Sequence, residues 1–287
     1  MATAKVPKKR ETLFFALRNT KLRIGVVVLL FFVILAAIGA NLTPYEPYDY
    51  VGPIAAPPSS EFWFGTTSFG EDVFAQFVFG LKATFLVGAL GGGLGTLIGI
   101  VIGFTAGYRG GLVDELLNMF TNIVLVVPSL VVLLIIAAYL DVRGFIFEAV
   151  FIGFFSWPWV ARAVRAQTFS LRSREFVDLA HLSGLNDRRI IFGEIAPNMM
   201  SYLLLAFILQ FGGAVLTAAT LDFIGLGPTN AVSLGLMMHT SILFGALILG
   251  IWWWFVPPGL AITAIVGSLY IMNVGLDEVF NPKLREM

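Results

Sequence analysis

Long apolar runs, broken by short polar stretches, dominate the chain. Runs at 24–40, 84–107, 116–140, 145–164, 199–220 and 256–274 match the roughly 17–25 residues an α-helix needs to cross a bilayer. Each predicts a membrane-spanning helix, six in all. The first run is long for the apolar part of a signal peptide. Ile38-Gly39-Ala40 is also a poor cleavage site, so the run reads as a retained anchor. Residues 233–254 are apolar enough to span, but His239, Thr240 and Ser241 interrupt them. They read as a re-entrant or interfacial piece ending in Trp252–Trp254, since tryptophan favours the membrane interface. Pro257 and Pro258 then start the last helix. In the outer loop, 70–82 turns regular and predicts a short helix lying on the membrane.

Charge orients these spans. Of 18 Lys and Arg, sixteen fall on one side if the N-terminus is cytoplasmic; only Lys82 and Arg143 fall on the other. Basic residues favour the cytoplasmic side, so both termini are expected inside. A seventh span would place Lys283 and Arg285 outside. Composition agrees with a membrane chain: 58% of the 287 residues are hydrophobic and 13% charged, against about 25% charged in soluble domains. There is no cysteine, hence no disulfide and no thiolate-ligated metal.

Few polar groups suggest chemistry inside the spans. Glu148 stands near the outer end of the fourth; it reads as an interfacial carboxylate, in water or paired with Arg143. Asp222 sits just past the fifth. Asn118, Thr121 and Asn122 give the inner end of the third span a polar face suited to helix contacts or to lining a path. His181 and Ser183 are two apart and point to different helix faces, so they make a poor nucleophile–base pair. No G-x-x-x-x-G-K-[ST] occurs, so there is no phosphate-cradling loop of that type. The second span carries Gly91, Gly95, Gly99, Gly103 and Gly107, four overlapping small-xxx-small units that predict a tight helix–helix seam.

One polar insert remains, EFVDLAHLSGLNDRRIIFGEIAPN at 175–198. Phe176, Leu179, Ala180 and Ser183 share a helical stripe. Gly184 is a natural helix stop, Asn186 or Asp187 a cap for a second helix through Ile191, and Pro197 the start of the next span. Two short helices thus join spans four and five inside the cell. Either the first lies on the bilayer surface or it is a plug for a cytoplasmic partner.

Asp178-Leu179-Ala180, three residues, Gly184, nine residues, then Glu194-Ile195-Ala196-Pro197 resembles the EAA-x3-G-x9-I-x-L-P loop of binding-protein-dependent ABC importers. The outer WFGTTSFGEDV is similar to LGTDxxGRDV of the C-type permeases in dipeptide and oligopeptide importers, with Thr67 for Asp and Glu71 for Arg. AGYRGGLVDELLNMF, LDFIGLG and GLDEVFNPKLR follow in the order that subfamily keeps.

The resemblance implies an all-α polytopic fold of the type I importer permease. Residues 1–23 would be a basic cytoplasmic segment, 24–40 the first transmembrane helix and 41–83 an outer loop. Residues 84–274 would form a five-helix core with a coupling loop at 165–198, and 275–287 a cytoplasmic tail. Phe176, Asp178, Leu179, Ala180, Gly184 and Pro197 would engage an ATPase. The implied partners are a B-type permease paralogue, two cytoplasmic ATPases holding ATP and Mg, an extracytoplasmic binding protein and membrane lipid. No nucleic acid, and no cofactor or metal of the chain's own, is implied. The cargo would be dipeptides or oligopeptides, with oligosaccharides or nickel chelates as alternatives. Outside the importer class, an ATP-independent carrier or a membrane scaffold is the competing reading.

Overall fold

The computed structural model describes residues 15–139, 144–228 and 231–280. The basic residues at 1–14 and 281–287, and Arg143, lie outside the described residues.

Five single helices are long and apolar enough to cross a membrane: α1 (Thr20–Ile38), α2 (Val73–Arg109), α5 (Phe145–Arg172), α9 (Met200–Phe223) and α12 (Trp252–Phe280). A bent pair, α3 (Gly111–Val126) and α4 (Ser129–Tyr139), meets at 69°, and the two make a sixth crossing if they count as one broken span. This corrects the single straight span expected at 116–140. Pro128 is the cause, because it pushes the residue before it out of the helical region, and Val127 is extended. Short inner helices α6 (Glu175–Leu182), α7 (Asp187–Arg189) and α8 (Ala196–Asn198) lie between α5 and α9, with a π-wound segment Ile190–Ile195 joining α7 to α8. At the end of the bundle away from α6 to α8, α10 (Leu234–Leu243) and α11 (Ala246–Leu249) precede α12. No strand forms among the described residues.

The expected separate surface helix at 70–82 is instead the first part of α2. Nothing between Val73 and Thr84 breaks a helix, and Asp72 caps it by accepting from Phe74 and Ala75 N–H at 3.3 and 3.0 Å. At 37 residues, α2 is about 55 Å long and projects beyond a core of about 30 Å. Residues 233–254 do not form a span: α10 has ten residues, and left-handed Gly245 and Gly250 end the two short pieces. The last helix begins at Trp252, so Pro257 and Pro258 lie a full turn inside rather than at its start. Their missing N–H groups leave only carbonyls near that helix's beginning unpaired. Trp254 is fully buried and Trp252 exposed, so only part of the tryptophan cluster faces outward.

Packing between spans relies on close backbone approach, since lipid supplies little hydrophobic drive between helices. α1 lies against α12, where Gly25 backs onto Ser268 and Met272, and Gly275 onto Leu22. Asn19 donates to Glu278 at 2.7 Å, and Lys21 pairs with the same carboxylate. The first helix is therefore built into the bundle.

Candidate coupling loop and glycine seam

The glycine stripe of α2 faces α5 along its whole length. A Cβ at Gly91 would meet Ala149 O at 3.1 Å, and one at Gly99 would lie 2.6 Å from Val160 Cβ and 2.9 Å from Trp157 O. At Gly103 and Gly107 it would come within 2.7 Å of the carbonyls of Ala161 and Arg165. At Gly95 it would meet Ser156 Oγ at 2.5 Å and Gln210 Nε2 at 2.7 Å. Such spacings are below normal carbon contact, so any side chain here separates the two backbones. Gln210 of α9 completes the joint by donating to Ser156 O at 2.7 Å.

The seam delivers the inner loop to a fixed place. α6 ends as glycine chemistry dictates: Gly184 is left-handed at φ 74°, its N–H reaches His181 O at 2.9 Å, and Leu185 N–H reaches Ala180 O at 3.2 Å. This is the two-bond closure of a Schellman turn. Asn186 then caps α7, its Oδ1 accepting from Arg189 N–H at 3.0 Å. The helical winding continues to Asn198, past the expected end at Ile191, because nothing from Asp187 to Ala196 breaks a helix. Pro197 falls near its end, and the next span begins at Met200 rather than at the proline.

The face of α6 differs from the expected stripe. Val177 and Ala180 are buried, packed with Phe104 and Tyr108 of α2 and with Ile190 and Ile195. Leu179 and Leu182 are 63% and 84% exposed. Ala180 therefore belongs to the chain's own core, not to a free docking face. Phe176 is half-buried against the same cluster; Asp178, Gly184 and Pro197 are exposed. Leu182 and Phe192, both exposed, were missed. The three-residue spacing of Leu179 and Leu182 on one helical ridge was the available signal. Beside them, Leu185, Arg188, Arg189, Phe192 and Gly193 line a shallow groove.

Other polar groups take structural places. Arg165 forks onto Asp114, with Nη2 to Oδ2 at 2.7 Å, and Arg162 donates to Asn122 at 2.8 Å; these bonds pin α3 to α5. Thr121 bonds back to Leu117 O, and Asn118 lines a shallow depression with Glu115 and Asn122. Ser183 donates to Leu179 O at 2.8 Å. Glu148 is not a water-facing carboxylate: both of its oxygens are buried and accept no hydrogen bond among the described residues, and Arg143, its expected partner, lies outside those residues. Asp222 lies inside α9 rather than past it, is buried, and accepts from Ser233.

Thr67 and Glu71, the two departures in the outer motif, touch each other. Thr67 Oγ1 donates to Glu71 Oε2 at 2.9 Å, and Gln76 Nε2 donates to the same oxygen at 2.9 Å. Both residues are buried, so neither side chain is part of this chain's exposed surface. Burial pushes the Glu71 carboxyl above its ordinary range, against the opposing pull of those two hydrogen bonds.

Residues 99–286 match the family model described as binding-protein-dependent transport system inner membrane component. The chain is 32% identical to the dipeptide transport system permease protein DppC of Alkalihalophilus pseudofirmus over 275 residues, 95% of this chain and 89% of that protein. It is 30% identical to the oligopeptide transport system permease protein OppC of Bacillus subtilis, over 98% of this chain and 93% of that protein. For OppC of Mycobacterium tuberculosis the identity is 30%, covering 86% of each chain. The chain belongs to the binding-protein-dependent inner-membrane transport components, and it is a permease of that class.

Proposed function

We propose that the chain is the C-type half of a heterodimeric importer and provides one side of a path for dipeptides or oligopeptides. A B-type paralogue supplies the other half. Two ATPases below bind ATP and Mg, and a binding protein on the outer side delivers the cargo. Both termini are cytoplasmic, in keeping with the distribution of Lys and Arg. The peptide cargo rests on the names of relatives aligned over nearly the full length.

One observation carries the mechanism. α6 is a short helix braced on its own chain by Val177 and Ala180, yet it leaves Leu179 and Leu182 exposed. Exposed leucines on a rigid, capped helix fit an apolar groove of a partner. When ATP draws two ATPases together, such a helix moves as a body, and the glycine seam passes the movement to α2 and α5. Hydrolysis and separation return it. The chain contributes the path and the lever, and the chemistry stays in the ATPases.

Reconstitution tests this. The chain would be co-expressed with its paralogue, ATPases and binding protein and placed in liposomes. Labelled di- and oligopeptides should then enter only with ATP and binding protein. Uptake without ATPase, or a stable assembly that never includes one, contradicts the reading.

A further inference from the structure

Tyr108 directly follows Gly107, the last glycine of the seam, just before Gly110 ends α2. Its hydroxyl reaches both arms of the inner loop. It donates to Asp187 Oδ1 at 3.3 Å and lies 3.3 Å from His181 Nε2. A phenol has one proton and can also accept, so with that proton on Asp187 the histidine Nε2–H is the donor to Tyr108. The two rings are nearly parallel, 19° apart with centroids separated by 6.3 Å. His181 belongs to the last turn of α6 and Asp187 opens α7, with the Gly184 turn between them. One hydroxyl therefore closes a bracket across the turn.

The contacts continue upward. Tyr108 and Phe104 pack on Val177 and Ala180. Next to Tyr108, Gly107 backs onto Thr168 and the carbonyl of Arg165 in α5. Apolar packing alone lets a short helix roll about its own axis. Directional bonds from both sides of the turn fix that rotation.

We propose that Tyr108 is a positioning residue for energy coupling: its hydroxyl locks α6 and the start of α7 to the inner end of α2, so that displacement of the loop turns the α2–α5 seam with it. The inference rests on the reading of α6 as the ATPase dock.

The test uses the assembled transporter in liposomes and reads peptides moved per ATP hydrolysed, alongside assembly and melting temperature. Tyr108→Phe removes only the hydroxyl and keeps the ring. Assembly and melting should stay parental while peptides moved per ATP fall about fivefold, within the range reported for residues along coupling networks. Asp187→Ala should do the same, and the double variant should be no worse than either single one, because both break one bracket. Asp187→Asn keeps an acceptor and should restore most of the parental ratio. If the parent couples and Tyr108→Phe keeps its ratio, the inference is overturned and the dock stands. It is equally overturned if Tyr108→Phe loses assembled transporter while the survivors keep the parental ratio, a purely structural effect. If the parental chain never binds ATPases, the dock reading itself fails.

Discussion

The two ends of α2 are held in opposite ways. At the outer end, Asp72, Gln76, Glu71 and Thr67 are all buried. Gln76 donates to Pro47 O at 3.0 Å and to Glu71, and accepts from Trp254 Nε1 at 3.3 Å. Trp253 Nε1 adds a bond to Thr66 O at 3.0 Å. A buried polar network with its groups satisfied fixes one geometry. At the inner end, the helix carries one hydroxyl bracket, an apolar patch and a loop whose Leu179 and Leu182 are exposed among the described residues. In the proposed mechanism the outer end is an anchor and the inner end a lever arm. The glycine seam makes them one object.

The largest effect should come from breaking the seam between the ends. Gly99→Leu drives side-chain atoms into Val160 and the carbonyl of Trp157. Overpacking of this kind costs about 1–3 kcal/mol where neighbours can adjust, and backbone adjusts least. The folded fraction in detergent should fall severalfold by size-exclusion chromatography; a parental profile would show that the two helices are not joined as described.

Leu182→Asp attacks the lever alone. The side chain is 84% exposed, so the isolated chain should fold as before. Recovery of ATPase with the purified permease should drop about tenfold, equivalent to about 1.4 kcal/mol of binding. Unchanged recovery would remove Leu182 from the dock.

Asp72→Ala attacks the anchor alone. It deletes the cap of α2 and the acceptor of a 3.3 Å bond from Thr43. Loss of a cap costs about 0.5–2 kcal/mol, so the melting temperature should fall while peptides moved per ATP stay parental. A loss of coupling at full stability would erase the distinction between the ends.

Glu71→Gln should have the smallest effect and is read against pH. Burial raises the native carboxyl above its unfolded value, so the folded chain holds this proton to higher pH than the unfolded one. Stability from this group is therefore greatest below the ordinary carboxylate range and declines as pH climbs through the raised native value. Glu71→Gln should flatten that part of the melting-temperature profile. A steeper slope would mean the carboxylate is stabilised, not penalised, where it sits.

Much of this was legible in the residues. Apolar run length located the spans, and Gly184 and Asn186 announced the turn and cap of the inner loop, because both act through local backbone chemistry. Pro128 was equally visible, but the apolar run around it masked the break. The continuity of α2 through 73–83 is hidden because apolar run length marks only the part within the membrane, and a long helix need not stop where the membrane does. The facing of α6 could not be read locally at all. Val177 and Ala180 are inward only because Phe104 and Tyr108, some 70 residues earlier in sequence, end beside them. For the same reason a charge at Ala180 should cause a folding defect. The glycine stripe declared a seam but not its partner, since small residues show how close a neighbour comes and not which one it is.

The central claim is that α6 meets an ATPase through Leu179 and Leu182. The chain has no native cysteine, so single cysteines can be placed at Leu179, Ala180 or Leu182 and paired with one in the groove of the ATPase within the assembled transporter. Cross-links should form from Leu179→Cys and Leu182→Cys and be weak or absent from Ala180→Cys. Cross-linking from Ala180→Cys alone, or from none of the three in any nucleotide state, would contradict the account.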